Sequence, residues 1–478
     1  MRAPLIALLL VTAAFTGCIG ALDAGDIEEQ SEDIENETSE SFVPPAPDRD
    51  FVGAIDTDHA HQAPELHSNT HGFELAGHEN FQGFYPTTYQ GGWGEVDVQG
   101  DLAAISSADG PLGATLVDIS DPSDPEPLSY TTSTGADFDT RITEDGNYLA
   151  VGCQASAVFS PTHTVMGDCQ EDAVTPHLPT STENVVSVYN ISDPENPEPV
   201  AQLATQATHN LWTKTIDGTI YIFTNEVEIL EFQPDAPEGE RLTKVATVKG
   251  THDVYVHKHP VTEDWLLYTG SPEDGTSMAI YDINDPSTPS PIVQSMDDVV
   301  GWHEQTVANS VIDGRVIAIG GGERLSSTGD VGGAERQKLY VIDVTDPANP
   351  EKLATWQLPI ETQPPYTSYR YSAHNVDITP TGQVISAWYH GGMWAFDVST
   401  EERQENPETL GFYQPHEPYA PSVPPGVAVL DHGAVPLVWG PQWTDEGRVV
   451  LGDMYTGVYT LEPEWGLYPE EASAGSAK

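Results

Sequence analysis

Four histidines occur in short motifs that share one pattern, in which the histidine lies near the start of a predicted β-strand. The motifs read THNLW, THDVY, WHEQT and AHNVD, and their histidines are His209, His252, His303 and His374. A fifth histidine, His390 in WYHGG, ends the strand that follows and should return to the same side of the fold. Neutral imidazoles that converge from several strands suit zinc or copper. One interpretation is therefore a divalent transition-metal site, with copper or zinc as the cofactor.

A second interpretation gives these histidines a structural role, as donors of hydrogen bonds to the backbone of a neighbouring repeat. Other repeats carry Gly94, Phe138 and Trp439 at the equivalent position. The residues that directly follow the histidines are Asn210, Asp253, Glu304 and Asn375. By strand alternation they should point away from the histidines and connect neighbouring repeats. The sequence leaves the metal or ligand site and the structural role as alternatives.

The sequence contains no motif of the common catalytic classes. GxSxG, CxxC, HExxH, the phosphate-binding loop and the dinucleotide fingerprint are all absent. GGGE, from Gly320 to Glu323, is interpreted as a turn between strands. The catalytic residues are therefore unknown from the sequence, and whether the protein is an enzyme stays open.

A repeated pattern of apolar strand, acidic turn and paired prolines indicates how the histidines are positioned. It appears as LVDISDPSDPEP, SVYNISDPENPEP, IYDINDPSTPSP and VIDVTDPANPEK, with weaker copies elsewhere. Alignment places one residue of each unit at a common position: Asp118, Asn190, Glu231, Asp282, Asp343, Asp397 and Thr460. In the four clear copies the later acid, Asp121, Asp193, Asp285 or Asp346, can cap the turn with its carboxylate. Seven units result, with a structural role for the motif.

Each unit contains the pattern of four short strands. The sixth reads AHNVDITPTG, QVISAWYHGG, MWAFDVS and PETLGFY, with β-branched and aromatic residues between glycine and proline turns. Four strands in a repeat of about 40 residues are typical of a propeller blade. The sequence thus predicts an all-β fold, a seven-bladed β-propeller with four-stranded blades, preceded by a disordered acidic tether.

The stretch YVIDVTDPANPEKLATW resembles the LVIVD repeat of bacterial and archaeal surface propellers, and the resemblance extends over most of residues 90 to 465. It implies a propeller and a cell-envelope setting, and no particular chemistry. The pattern of the last unit predicts only three strands. We therefore expect GFELAGHENFQGFY, from Gly72 to Tyr85, to supply its missing outer strand.

The amino-terminal residues resemble a lipoprotein signal peptide. An arginine precedes an apolar run from Leu5 to Ala14, too short to span a bilayer, and Thr16 and Gly17 precede Cys18. This predicts lipidation of Cys18 after removal of residues 1–17. Ordinary secretion and an uncleaved anchor are the alternatives. We further expect a lipid-anchored acidic linker at 18–71, the propeller at 72–465 and a disordered tail at 466–478.

Charge narrows the setting and the partners. The chain of 478 residues has 17 Lys and Arg against 75 Asp and Glu, a formal net charge of −58. Such a surface repels itself in dilute buffer, but molar salt shortens the Debye length to about 3 Å and screens the repulsion. The composition favours a halophilic source, with a calcium-loaded acidic protein as the alternative. It argues against nucleic acid as a partner, because no basic stripe is present.

The two cysteines outside the signal region, Cys153 and Cys169, are expected to form a disulfide, since an exported chain meets an oxidising compartment. Two free thiols are the alternative. Taken together, the sequence favours a propeller held by a lipid anchor at the extracellular face of the cytoplasmic membrane. It would act as a binding or scaffold module with a protein partner or small ligand at the histidine-bearing channel mouth. The alternative function is a copper- or zinc-dependent extracytoplasmic enzyme that uses the histidine ring.

Overall fold

The computed structural model describes seventeen stretches of the chain. The ranges are 70–81, 83–85, 92–107, 112–132, 136–154, 157–160, 163–165, 184–206, 208–225, 227–270, 277–299, 302–323, 338–358, 372–389, 391–415, 437–454 and 456–465. Within them, seven sheets have at least four antiparallel strands each. The predicted seven-bladed β-propeller is confirmed.

The strands follow the blades in chain order. Two strands precede the first blade: β1 (Thr70–His71) and β2 (Phe73–Glu79). The strands of blade one are β3 (Trp93–Gln99), β4 (Leu102–Ser107), β5 (Leu112–Asp118) and β6 (Glu126–Thr132). Blade two begins with β7 (Ala136–Ile142) and β8 (Tyr148–Gln154). A hairpin follows: β9 (Ala157–Ser160) and β10 (His163–Val165). The blade is completed by β11 (Asn184–Asn190) and β12 (Glu198–Thr205).

The strands of blade three are β13 (Leu211–Ile216), β14 (Thr219–Thr224), β15 (Glu228–Phe232) and β16 (Leu242–Thr247). Those of blade four are β17 (Thr251–Lys258), β18 (Trp265–Gly270), β19 (Met278–Asp282) and β20 (Ser290–Val293). Those of blade five are β21 (Glu304–Val307), β22 (Ile317–Gly321), β23 (Leu339–Asp343) and β24 (Glu351–Trp356).

Blade six contains a short helix between its third and fourth strands. Its elements are β25 (Val376–Ile378), β26 (Gln383–Ala387), β27 (Met393–Asp397), α1 (Glu401–Glu405) and β28 (Glu408–Tyr413). Blade seven supplies β29 (Val438–Trp443), β30 (Val449–Asp453) and β31 (Gly457–Pro463). In the described part of the chain, no helix has the length and apolar character needed to cross a membrane.

The first strands of the blades surround a central channel. Contacts between neighbours run from β3 to β7, β13, β17, β21, β25 and β29, and β29 returns to β3. Apolar side chains fill the space between adjacent blades; between blades five and six the cluster includes Ile319, Val341, Trp388 and Trp394. Burial of these faces stabilises the circle and fixes the positions of the inner strands, which carry the site.

The ring of blades closes where the sequence predicts. β2 pairs antiparallel with β31 and becomes the outer strand of blade seven. β2 also packs closely against blade one, because a Cβ on Gly77 would lie 2.3 Å from the carbonyl oxygen of Pro122. The short β1 pairs with β28 as a fifth strand of blade six, which the sequence did not predict.

The acidic turns also have the predicted role. The seven aligned residues all lie in the third strand of a blade. In the four clear repeats, the turn aspartate accepts a hydrogen bond from the backbone N–H two residues later. The distances are 2.9, 3.3, 3.0 and 3.1 Å at Asp121, Asp193, Asp285 and Asp346. The repeat is therefore structural.

Candidate functional site

Side chains at the start of the inner strands form a closed ring around one end of the channel. The equivalent residues, one from each blade, are Gly94, Phe138, His209, His252, His303, His374 and Trp439. From Phe138 to Trp439, successive ring centroids are 4.4, 5.1, 3.7, 5.1 and 4.2 Å apart, and Trp439 returns to Phe138 at 6.2 Å. The indole of Trp439 occupies the space beside Gly94, where a Cβ would lie 3.3 Å from it. The four histidines converge, as the motif alignment predicts.

Irregular pairing at the start of the inner strands determines where the next residues point. The register shifts between Thr251 and Val254 in blade four, and His252 has a positive φ of 56°. Blades one, two and seven have register shifts at the same position. In these four blades such a bulge breaks the alternation of side chains, so consecutive residues can face the channel; the first strand pairs of blades three, five and six are regular.

The sequence predicts that the residues after the histidines connect blades instead of lining the channel. Two of them do connect blades, because Asn375 donates to Glu95 of blade one and Glu304 accepts the Val376 N–H of blade six, but lining the channel was wrongly excluded. Asn210, Asp253, Glu304 and Asn375 all line the cavity next to the ring. They lie there with Glu95 and Asp139 of blades one and two. Asp139 does connect blades as well, because its Oδ2 accepts a hydrogen bond of 2.7 Å from the Leu211 N–H of blade three.

Hydrogen bonds orient the imidazoles of the ring. His374 Nδ1 lies 2.8 Å from the carbonyl oxygen of Trp439, so Nδ1 donates and Nε2 carries the lone pair. His252 Nδ1 lies 2.6 Å from Asp253 Oδ1, which likewise favours a lone pair on Nε2. His209 Nδ1 lies 3.1 Å from Gln154 Oε1. Contacts of this kind fix the tautomer of metal-binding histidines, and the His374 bond also fits the structural role that the sequence left open.

Glu323 is a site residue that the sequence interpretation missed. Its side chain is 2% exposed, and Oε2 lies 3.1 Å from His303 Nε2. Tyr389 donates its hydroxyl hydrogen to Glu323 Oε1. The sequence predicts a simple turn for GGGE, yet Glu323 follows the second strand of blade five as His390 follows that of blade six. Glu323 should therefore return to the same end of the channel as His390.

Three of these side chains form a group able to hold a metal ion. The ligand atoms of His252, His303 and Glu323 all lie within 4.8 Å of one another. Two imidazoles and one carboxylate are a donor set found in zinc sites. Of the other predicted ligands, His209 and His374 flank this group in the ring but are outside it, and His390 lies outside the described residues.

Burial keeps most of the ring uncharged. It lowers the pKa of His209 to about 3, helped by the neighbouring His252. Burial, with a contribution from His303, also lowers the pKa of His374 to about 4 and lowers that of His252. Metal ligation requires neutral imidazole, so these three side chains are in the required form near pH 7.

His303 and Glu323 behave as a buried ion pair. Burial acts to lower the pKa of His303, but the carboxylate of Glu323 outweighs it and the pKa is raised. Burial acts to raise the pKa of Glu323, and His303 outweighs that effect, so the pKa is lowered. A divalent cation would replace the proton on His303 as the counter-charge of Glu323.

A cavity of about 780 Å³ extends along the channel from the ring. At the end next to the ring the lining is buried, because Glu304 is 2% and Asn375 8% exposed. At the other end the lining includes the exposed Glu144, Asn309 and Asp445. The cavity is thus buried at the end next to the ring and open to solvent at the other.

Carboxylates around a single arginine dominate the buried part of this cavity. Arg141 lies 3.1 Å from Glu95, 3.2 Å from Asp139 and 3.6 Å from Asp97. Burial raises the pKa of Asp139 to about 7 despite Arg141, and it raises the pKa of Asp97 in the same way. The acidic groups are therefore only partly neutralised by the protein itself.

The structure describes one of the two cysteines of the predicted disulfide, Cys153. Cys153 ends up buried in β8 and takes part in a disulfide bond. Its predicted partner Cys169 lies outside the described residues, as does Cys18, so their assignments stay predictions.

Similarity to known proteins agrees with the fold. The sequence pattern of the family described as LVIVD repeat matches residues 91–132, which contain blade one. With the seven sheets, this match defines the chain as a repeat β-propeller. No curated protein matches it in sequence.

Solved structures with a similar arrangement include a WD40 beta propeller domain of Doa1, 11% identical, covering 85% of this chain and 99% of that chain with a TM-score of 0.45. A chain of a Mitotic Checkpoint Complex is 10% identical, covering 86% and 98%, with a TM-score of 0.46. Saccharomyces cerevisiae Sqt1 is 12% identical, covering 81% and 83%, with a TM-score of 0.43. Identities this low say nothing about what the chain binds.

Proposed function

We propose that the protein is a β-propeller binding module whose histidine ring holds a divalent transition metal, zinc or copper, at one end of the channel. The observation that carries the proposal is the group of His252, His303 and Glu323, whose ligand atoms lie within 4.8 Å of one another. These residues come from blades four and five, so a bound ion would connect two neighbouring blades.

The surroundings of the group support a metal site. Asp253 contacts His252 Nδ1, and Tyr389 donates to Glu323, so both of these ligands have an orienting partner. Second contacts of this kind hold first ligands in place and raise their basicity. Neutral His252 and negatively charged Glu323 also provide the charge state that a divalent ion requires.

The burial of the ring favours binding over catalysis. Side chains of His252, His303 and Glu323 are 10%, 5% and 2% exposed. Catalytic zinc sites keep one coordination position open to substrate, whereas structural sites are closed. The alternative, a metal-dependent enzyme, is supported by the carboxyl of Asp139 beside the ring, whose pKa near 7 suits proton transfer.

Elemental analysis tests the metal site. The parent and the variants His303→Ala, Glu323→Gln and His259→Ala are purified without a tag, exposed to zinc or copper, and dialysed. His259 is the matched control, because it is fully buried but follows the far end of β17 and bonds to the Val344 carbonyl of blade five. We expect about one metal ion per chain in the parent and in His259→Ala, and at least a tenfold loss of affinity in the other two. A parent that retains no metal, or equal occupancy in His303→Ala, would refute the site.

The setting is a second part of the proposal: a lipid anchor on Cys18 would hold the propeller at the extracellular face of the membrane, in a halophilic cell. It rests on the apolar run before Cys18 and on the net charge of −58. The parent expressed with its amino terminus should partition with membranes, and Cys18→Ser should be released. If both fractionate alike with the same amino terminus, the anchor is not on Cys18.

A further inference from the structure

The cavity behind the ring has three oxygen atoms whose hydrogen-bonding capacity the protein leaves unused. Within the described residues, no group donates to Glu304 Oε1, Asn210 Oδ1 or Asn375 Oδ1. Glu304, Asn210 and Asn375 are 2%, 8% and 8% exposed and line the channel from blades five, three and six. Buried acceptors without a donor cost free energy, so such a group indicates a site for a ligand.

The orientation of these oxygens is set by other contacts. Asn375 Nδ2 donates to Glu95 Oε2, which assigns its remaining amide atom as oxygen. Glu304 accepts the backbone N–H of Val376 and therefore keeps its second carboxyl oxygen for another donor. These three oxygen atoms require a ligand that brings donors, and two further lining residues, Gln305 and Trp443, each leave one N–H donor unused.

The charge of the cavity points to the sign of that ligand. Its two cationic side chains are already engaged, since Arg141 is shared by Glu95, Asp97 and Asp139, and Lys214 lies 2.5 Å from Glu144. Glu304 and Asp377 also line the cavity, and neither has a cationic side chain of the protein within ion-pair distance in the described part. Burial and the neighbouring carboxylates of Asp253, Glu95 and Glu323 raise the pKa of Glu304, and a positively charged ligand would favour its ionised form.

The volume of the cavity and its aromatic lining favour an organic cation as the ligand. About 780 Å³ is in the range of pockets for small molecules and far exceeds the space that one metal ion needs. Trp212 and Tyr255, with ring centroids 4.5 Å apart, form part of the lining one level further from the ring, and Trp443 adds a third aromatic surface. Aromatic faces attract cations.

We propose that this cavity binds a small organic cation with several N–H donors, a primary amine or a guanidinium, through Glu304, Asn210 and Asn375. The ligand enters from the open end, where Glu144 and Asp445 are exposed, and its charged head reaches the layer beneath the histidine ring. Binding does not depend on whether the ring holds a metal, because the three acceptors are separate from the group of His252, His303 and Glu323.

Calorimetric titration at constant ionic strength tests this site with three probes: agmatine, which carries an amine and a guanidinium; tetramethylammonium, a cation without N–H donors; and calcium chloride. We expect saturable binding of agmatine, and binding of tetramethylammonium weaker by at least about tenfold, because hydrogen bonds to a charged group are lost. Binding of calcium without binding of agmatine would overturn the proposal in favour of a metal site.

Variants locate the site. Glu304→Gln replaces the carboxyl group by an amide at nearly constant size and should weaken agmatine binding by about tenfold to a hundredfold. Glu228→Gln is the matched control. Glu228 is 1% exposed, lies in the third strand of blade three and pairs with Lys244 of the fourth strand. Asn210→Asp, which adds a carboxylate at one acceptor, should strengthen agmatine binding. Equal affinity in the parent and in both Glu304→Gln and Asn210→Asp would overturn the assignment.

Discussion

Replacement of Arg141 by methionine is the sharpest test of the acidic channel as described. Arg141 is the cation shared by Glu95, Asp97 and Asp139, and its side chain is only 12% exposed. Its Nε also donates to the Leu211 carbonyl of blade three at 3.1 Å, and its guanidinium lies 4.9 Å from the ring centroid of Trp212. Methionine has a similar length without the charge, so Arg141→Met leaves three buried carboxyl groups with no counter-charge.

The expected loss of stability follows from the burial of the partners. Removal of one partner from a buried ion pair costs about 3–5 kcal/mol. The upper end of this range should apply at pH 8, because Asp139 of the parent, with a pKa of about 7, is charged there and its pairing with Arg141 is complete. Without Arg141 the carboxyl groups have folded pKa values raised further above their unfolded values. The variant should therefore recover stability as the pH falls and these groups become neutral.

Urea unfolding of the parent and of Arg141→Met at pH 8 and pH 5 measures both effects. Arg448→Met is the control, because Arg448 forms a 3.2 Å pair with Glu462 in which the side chains are 29% and 45% exposed. We expect that control to lose about 0–1 kcal/mol. A loss for Arg141→Met that is equal at both pH values, or no greater than that of the control, would refute the electrostatic role of Arg141.

Two further predictions concern closure of the ring and titration of the channel. Gly77→Val in β2 should lower the free energy of unfolding by about 1–3 kcal/mol, because a Cβ there meets Pro122 and Pro125 of blade one. Glu74→Ala, at an exposed position of the same strand, is the control and should lower it by under about 0.5 kcal/mol. Equal melting temperatures of the two variants would contradict the closure. Burial raises the pKa of Asp377 to about 6, above its unfolded value, so the stability it contributes is complete below about pH 4 and is lost as the pH rises through 6. Between pH 4 and pH 7 the free energy of unfolding should therefore fall less for Asp377→Asn than for the parent, by up to about 3 kcal/mol. Identical pH dependence of unfolding in the two proteins would show that Asp377 does not titrate with a raised pKa.

Repetition made the fold and the ring predictable. Seven aligned positions fix the third strand of each blade, and a histidine at one place in four successive inner strands can converge only around a common channel. The closing strand β2 was also predictable, because the last unit lacks an outer strand and an apolar segment precedes the first blade.

The missed features depend on local backbone geometry. The positive φ of His252 and the register shift from Thr251 to Val254 leave no clear mark in the sequence, so alternation alone turned Asp253 the wrong way. Glu323 follows three consecutive glycines, a composition typical of a turn, so the sequence did not indicate its contact with His303. Pairing of the two-residue β1 with β28 is too short to produce a sequence pattern.

The central claim is that His252, His303 and Glu323 hold one transition-metal ion, and anomalous diffraction from zinc- or copper-loaded crystals tests it most directly. The account predicts one anomalous peak at the metal absorption edge, about 2.0–2.2 Å from an imidazole nitrogen of each histidine and from a carboxylate oxygen of Glu323. The absence of a peak there, or a peak bound only by residues elsewhere in the chain, would contradict the claim.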